Sequence, residues 1–352
     1  MPSPLILVTG ASGYLGAHIV YQLLEKGYRV RGTARGSKLA LTNATFKKYG
    51  SQFEAVSVED VITADISAHL VGVAAVMHTA APLPGSGDNQ HILNVRSAFI
   101  GAIEGSVNIL RQAQKAGIKK IVYTSSIGAV RNPSGTLTDQ DWNEATYEQA
   151  LASDAMGAYR AAKSLAEKAV WDLADLHKDL DVTTICPPFL YGPFVPGYNI
   201  PKPDYLALST TLNIYRLITP SNGRFPSSPG YIDVRDVARA HVGALTSPPP
   251  SMVGRKRVVI SSPHGLSYKS ALELIRDERP GLRDRLLNPV YAPKFARDYL
   301  PVDLNRAAVL TGVKVDSYIP WQQTILETVD DLLKFELDWV SKGCYVQIPS
   351  YL

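Results

Sequence analysis

The sequence predicts an α/β fold, a doubly wound parallel sheet followed by a smaller, loop-rich C-terminal lobe, and three observations carry that prediction. Short β-branched or apolar runs alternate with longer amphipathic stretches through the first half of the chain. A glycine-rich turn joins the first such run to the first amphipathic stretch. Beyond Cys186 the prolines at 187, 188, 193, 196, 201 and 203 crowd a short span and interrupt regular structure.

Taken in order, strand-length runs lie at Pro4 to Thr9, Tyr28 to Thr33, Phe53 to Val58, Ala74 to His78, Lys120 to Thr124 and Val182 to Cys186. Between them Tyr14 to Lys26, His91 to Ala116 and Ser153 to His177 are long enough to be helical crossovers, so the order reads βαβαβ twice over six strands. In the second half, helical periodicity falls at Asp204 to Leu217, Val234 to Leu245, Tyr268 to Glu278 and Trp321 to Val340, with Pro248-Pro249-Pro250 as a linker. The sheet domain is assigned to residues 1–186, with about 228–255 returning to it, and the substrate lobe to 187–227 and 256–352. At 352 residues a single core has stopped growing, which supports the second lobe.

Composition removes other classes. With 45% hydrophobic and 19% charged residues the chain is an ordinary globular one. The net charge is +4 with interspersed signs, and Arg255-Lys256-Arg257 is the longest basic run, which argues against a nucleic-acid surface. No apolar stretch approaches the roughly 18 residues of a spanning helix, and no basic segment precedes Leu5-Ile6-Leu7-Val8, so no membrane partner and a cytoplasmic location are expected. Cys186 and Cys344 stand far apart, and the seven histidines show no metal-type pairing; no metal is expected and the histidines read as structural or solvated.

The strongest local signal is Gly10-Ala11-Ser12-Gly13-Tyr14-Leu15-Gly16, leaving the first strand and opening the first helix. Gly10 permits the tight turn, Gly13 lets backbone N–H groups at Tyr14 and Leu15 approach a pyrophosphate, and Gly16 lets the helix pack closely on the strand. A dinucleotide site is the expectation. An NAD site would place a carboxylate about 20 residues further on, for the ribose 2′-hydroxyl. The chain instead reads Thr33-Ala34-Arg35-Gly36-Ser37-Lys38, where cations would meet a 2′-phosphate. NADPH/NADP+ is therefore the expected cofactor, with Arg35 forking onto the phosphate and Lys38 acting as a point charge.

A second constellation is Tyr159-Arg160-Ala161-Ala162-Lys163, in a stretch of good helix formers with Ser153 or Asp154 as N-cap. Residues i and i+4 share a helix face, and an ammonium beside a phenol favours the phenolate, which makes tyrosine a usable proton donor near neutral pH. The only other such pair, Tyr198 and Lys202, spans Pro201 and cannot be aligned by a helix. Upstream, Thr124-Ser125-Ser126 ends the fifth strand at the edge where open α/β sheets bind ligands, and Ser126 is the candidate donor to a substrate oxygen.

Together these residues resemble the extended short-chain dehydrogenases/reductases, in the branch of dihydroflavonol reductases and yeast-type methylglyoxal or aldehyde reductases. The resemblance runs over nearly the whole chain. It is carried by the glycine motif, Thr33-Ala34-Arg35, His78-Thr79-Ala80-Ala81-Pro82, Gly105-Ser106-Val107-Asn108, Thr124-Ser125-Ser126, Tyr159 with Lys163, Pro187 with Tyr191-Gly192-Pro193, and Tyr231-Ile232-Asp233-Val234-Arg235-Asp236-Val237-Ala238. The resemblance implies a Rossmann sheet with Ser126, Tyr159 and Lys163 as catalytic triad, Tyr159 protonating the carbonyl oxygen and Lys163 also holding the nicotinamide ribose. It further implies Asp60 and Val61 beside adenine, Thr79, Ala80 and Ala81 along the ribose and phosphates, and Pro187 near the carboxamide.

Departures from the family pattern are equally specific. Cys186-Pro187-Pro188 stands where relatives often read Asn-Pro; Ala102 and Ile127-Gly128 replace residues associated with sugar chemistry. Leu83, Ile127, Tyr147, Met156, Phe189, Tyr191, Tyr205, Leu208 and Phe225 are the candidate pocket wall, suited to a medium-sized apolar aldehyde or ketone reduced to an alcohol. An epimerase or sugar- or steroid-type dehydrogenase of the same superfamily is the alternative, with Arg216, Arg224 and Arg235 as possible anion partners. A non-catalytic NADP-sensing module is a third reading. A monomer or homodimer acting on a small-molecule carbonyl substrate is expected.

Overall fold

Leu5–Thr9 is an uninterrupted apolar run, fully buried, and it forms the middle of the sheet as β1. The computed structural model describes residues 3–80, 95–131, 135–219 and 222–349. Around β1 the strands β2 (Arg29–Ala34), β3 (Phe53–Ser57), β4 (Val73–His78), β5 (Lys120–Thr124), β6 (Asp181–Cys186) and β9 (Lys256–Val259) make a seven-stranded sheet in the order β3-β2-β1-β4-β5-β6-β9. Every pairing in it is parallel. Two short strands, β7 (Phe189–Tyr191) and β8 (Tyr231–Asp233), pair with each other in parallel outside this sheet. The helices are α1 (Tyr14–Glu25), α2 (Lys38–Thr45), α3 (Val95–Lys115), α4 (Tyr147–Leu151), α5 (Ala155–Leu176), α6 (Leu212–Tyr215), α7 (Val234–Ala244), α8 (Pro250–Val253), α9 (Tyr268–Glu278), α10 (Leu304–Thr311) and α11 (Trp321–Ser341).

Strand alternation sorts side chains between two cores. Ile6 and Val8 of β1, with Ala75 and Met77 of β4, face α1, α7 and α10; Leu5 and Leu7, with Val76, face Ile109, Leu110, Val170 and Trp171 of α3 and α5. A one-residue slip would exchange these sets, so the register is fixed by both faces at once. A third core, built from Tyr191, Ile214, Leu272, Val329 and Trp339 among others, holds the second lobe. Strand order reverses between β1 and β4, and the crevice outside their carboxyl ends is where an open α/β sheet binds its ligand. Among the described residues no helix is long and apolar enough to cross a membrane.

Two expectations are corrected. The sheet does not stop at Cys186 with six strands: β9 pairs with β6 as a seventh, and α10 packs Ala307 and Leu310 into the sheet core, so part of 256–352 lies with the sheet. Lys256 and Arg257 open that strand and are buried because Asp181 and Glu167 pair with them. The helix expected from Asp204 to Leu217 is broken into 3-10 turns around α6, where Ser209 takes a left-handed φ of 53°.

Candidate active site

The glycine turn leaves β1 directly over the strand-order reversal. Gly10 has φ 71°, and a Cβ there would lie 3.0 Å from the Ala80 backbone and the Thr79 hydroxyl. A Cβ on Gly16 would collide with the Gly10 carbonyl oxygen. Gly13 is the N-cap of α1 with no capping side chain, and no acidic residue stands in the first turn, so the N–H groups of Tyr14, Leu15 and Gly16 face outward without an anionic partner. That bare, positively polarised end fits a pyrophosphate. The end of β4 is fastened to the same turn: the Thr9 hydroxyl accepts from the N–H groups of Thr79 (3.2 Å) and Ala80 (3.3 Å), and the Thr79 hydroxyl donates to the Thr9 carbonyl (2.6 Å). Ala81 and Leu83 lie outside the described residues.

Thr9 shares a 2.7 Å hydrogen bond with Nδ1 of His78, and burial, then the charge of Lys163, lowers the His78 imidazole to about 3. His78 is therefore a neutral structural residue that reports Lys163 close to the end of β4. At the end of β2, Arg35 and Lys38 are exposed, and neither side chain forms a hydrogen bond among the described residues. Both are open to a phosphate. Glu59, which sequence reasoning did not single out, accepts from the Gly36 N–H (3.1 Å) and the Ser57 hydroxyl (2.6 Å), shaping the loop that presents Arg35. Ser12, Ser37, Lys38 and Lys202 line a cleft of about 120 Å³ beside this loop.

After β3, Asp60 caps its own turn, accepting from the Ile62 N–H and the Thr63 hydroxyl. Two residues of the Gly105-to-Asn108 motif explain themselves there. Gly105 makes room for Val61, whose Cγ2 would be 2.9 Å from a Cβ, and the Asn108 amide donates to the carbonyls of Val61 (3.0 Å) and Ala64 (3.1 Å).

Ser126 follows β5 in extended backbone, and its hydroxyl accepts from the Gly128 N–H at 3.1 Å. Asp154 caps α5 by accepting from the Gly157 N–H at 2.7 Å, which sets the helix phase for Tyr159 and Lys163. The serine loop abuts that helix: a Cβ on Gly128 would touch Arg160 at 3.2 Å. Lys163 is buried and acts electrostatically on His78, and Tyr159 on Tyr123, so α5 brings this pair to the carboxyl ends of β4 and β5. Pro187 joins from β6, its carbonyl accepting the Ile127 N–H at 2.9 Å.

Beneath this edge sits a group that the reading of the sequence did not single out. Glu167, one turn beyond Lys163, is wholly buried; it accepts from the hydroxyls of Ser125 (2.8 Å) and Thr184 (2.6 Å) and pairs with Arg257 (2.9 Å). Arg257 in turn donates to the carbonyls of Ala129 (3.2 Å) and Asp141 (2.6 Å) and lies 3.6 Å from the Trp142 ring centre. Burial first, then the Glu167 charge, pushes the nearby Cys186 thiol up, so it stays protonated. The network clasps the serine loop at Ser125 and Ala129. The signal was in the sequence: a glutamate at i+4 from Lys163.

The candidate wall residues separate. Ile127, Tyr147, Phe189 and Phe225 are half-buried, and Met156 is exposed on α5. Tyr191, Tyr205 and Leu208 are instead absorbed into the lobe core: Tyr205 packs edge-on against Trp339, and the Tyr191 and Tyr268 hydroxyls lie 3.3 Å apart. The apolar surface of these three is taken up by packing within the lobe. No cluster of metal-ligating side chains occurs among the described residues.

A family model described as the NAD dependent epimerase/dehydratase family matches residues 6–259. The NADPH-dependent methylglyoxal reductase of Saccharomyces cerevisiae is 28% identical over 94% of this chain and 98% of its own. A ketoreductase of Penicillium rubens is 33% identical over 70% of this chain and 73% of its own. Among solved structures, yeast methylglyoxal/isovaleraldehyde reductase complexed with NADPH is similar with a TM-score of 0.77 at 26% identity, covering 95% of this chain and 99% of that one.

Proposed function

The chain belongs to the NAD dependent epimerase/dehydratase family, and from that premise we propose that it is an NADPH-dependent reductase converting a medium-sized apolar aldehyde or ketone to an alcohol. The observation that supports this most is the convergence of Ser126, Tyr159 and Lys163 on the sheet edge beside an uncapped helix N-terminus. The names of its relatives agree, since they are reductases of carbonyl compounds that use NADPH.

In this reading the Gly10–Gly16 turn holds the pyrophosphate, Arg35 and Lys38 the 2′-phosphate, and Lys163 the nicotinamide ribose. When bound, the cofactor supplies a hydride to the carbonyl carbon. Ser126 orients the carbonyl oxygen by donating to it as negative charge develops. Tyr159 gives that oxygen its proton, and Lys163, one turn along the same face, stabilises the phenolate left behind. Pro187 and the half-buried Ile127 and Phe189 exclude water from the reacting face. A cytoplasmic location and a monomeric or dimeric state belong to the same reading.

Replacing Tyr159 by Phe tests the assignment. Turnover of aldehydes should fall at least about a hundredfold, while the NADPH dissociation constant stays within a few-fold. Retained turnover would mean that another group donates the proton.

A further inference from the structure

Tyr198 and Lys202, the tyrosine–lysine pair that no helix aligns, lie on a strap of the second lobe that reaches the glycine turn. The Tyr198 hydroxyl donates to the Ser12 carbonyl at 2.9 Å, and the Thr45 hydroxyl at the end of α2 donates to the Gly197 carbonyl at 3.3 Å. Gly197 has φ 82°, and a Cβ there would lie 3.3 Å from the Thr45 carbonyl oxygen, so this close approach is fitted to glycine. The strap is equally tied to its own lobe: the indole N–H of the buried Trp339 donates to the Ile200 carbonyl at 2.6 Å.

Between the strap, the glycine turn and α2 lies the cleft of about 120 Å³, and Lys202 lines it together with Ser12, Ser37 and Lys38. Two cations from different lobes therefore border one small space. Pro201 and Pro203 flank Lys202 and restrict its backbone, so the strap holds the residue at the cleft. Ser37 begins α2 without a side-chain cap, and no acidic residue stands in the first turn, so that end of the cleft is positively polarised as well. Asp204, a carboxylate on the same wall, accepts the Ala207 N–H at 3.1 Å and leaves the lysines in the majority.

We infer that Lys202 is a further binding residue for the 2′-phosphate of NADPH, so that the second lobe takes part in choosing NADP over NAD. This rests on the reading that places the phosphate at Arg35 and Lys38, and it extends that site across the cleft. A phosphate held from the sheet side by an arginine fork and a lysine still has oxygen for a point charge on the other side. Lys202 acts on the adenosine end of the cofactor and takes no part in hydride or proton transfer.

The test is fluorescence titration of NADPH and of NADH, which differ only in the 2′-phosphate, on the wild type, Lys202→Gln, Lys38→Gln and Arg35→Gln. Lys202 is exposed, so glutamine there costs the fold little. In Lys202→Gln the preference for NADPH over NADH, as a ratio of dissociation constants, should fall at least about fivefold, through NADPH alone. A smaller fall overturns the inference. So does an equal loss for both cofactors, which is what a strap that only buttresses the glycine turn would give. In either case a lost preference in Arg35→Gln or Lys38→Gln leaves the reading of the phosphate site standing. If neither of those variants loses it, or the wild type shows none, that reading falls instead.

Discussion

Glu167→Leu is the perturbation whose cost can be worked out most fully. Glu167 is wholly buried and Arg257 is 1% exposed, so removing the carboxylate leaves a guanidinium deep in the sheet without its counter-charge. Breaking one side of such a pair costs about 3–5 kcal/mol. The hydroxyls of Ser125 and Thr184 lose their acceptor as well, at about 1 kcal/mol each. Their sum, roughly 5–7 kcal/mol, is a large share of a domain's whole stability. Removing both charges in Glu167→Leu/Arg257→Met deletes the uncompensated ion, so the double variant should be more stable than the sum of the single losses by at least about 2 kcal/mol. Urea unfolding followed by circular dichroism gives all four corners of the cycle. A loss under about 1 kcal/mol for Glu167→Leu, or strictly additive losses in the double variant, would show that the pair is not the clasp its geometry describes.

The remaining predictions concern the cofactor cradle and pH. Gly16→Ala drives a methyl into the Gly10 carbonyl, and NADPH affinity by fluorescence titration should fall at least about tenfold, since the close approach is what the glycine provides; unchanged affinity would disconnect the turn from binding. Arg35→Glu should raise KM for NADPH several-fold and leave NADH nearly unaffected, because in the proposed reading it is the 2′-phosphate that this side chain holds; equal effects on both would move the phosphate site elsewhere. Burial holds His18, His78 and His241 neutral in the fold, at about 4, 3 and 4. The unfolded chain protonates them below about pH 6.5, so it binds more protons than the folded chain, and stability falls as pH falls from there toward 4. Each contributes about 1.4 kcal/mol per pH unit within that window, or roughly 4 kcal/mol for the three between pH 6 and 5; a urea midpoint flat over that interval would refute it.

Most of the sheet was legible because its strands obey one rule, a short apolar run bounded by turn residues. β1 through β6 fall within a residue or two of their expected limits for that reason. β9 broke the rule: Lys256 and Arg257 look solvated, and only the carboxylates of Asp181 and Glu167, on β6 and α5, make them strand interior. Sequence periodicity cannot see a partner 90 residues away. The short α4 escaped notice because five residues carry little periodic signal. The glycine turn and the Tyr159–Lys163 pair were legible because their chemistry demands fixed local spacing. Burial of Tyr205 and Leu208 in the lobe core was not legible because an apolar residue in a loop-rich lobe fits a wall or a core equally well until packing decides.

The motif Tyr231 to Ala238 shows how a family signature can be about geometry rather than chemistry. Asp233 is fully buried and takes the Arg235 backbone N–H (2.9 Å), the Arg235 guanidinium (2.9 and 2.8 Å) and the Thr324 hydroxyl (2.8 Å). Asp236 takes the Ile319 N–H at 2.9 Å, and Arg235 also reaches Glu327. These bonds tie α7, which packs under the sheet, to α11, which packs in the second lobe. β8, carrying Tyr231 and Asp233, pairs with β7, the strand that leaves Pro187. The distance between the sheet edge and the second lobe is therefore set by a buried carboxylate with no part in proton or hydride transfer. Because Ser126 is clasped from below by Glu167 and Arg257 while the facing lobe is fixed through Asp233, the two sides of the cleft are positioned by separate polar networks.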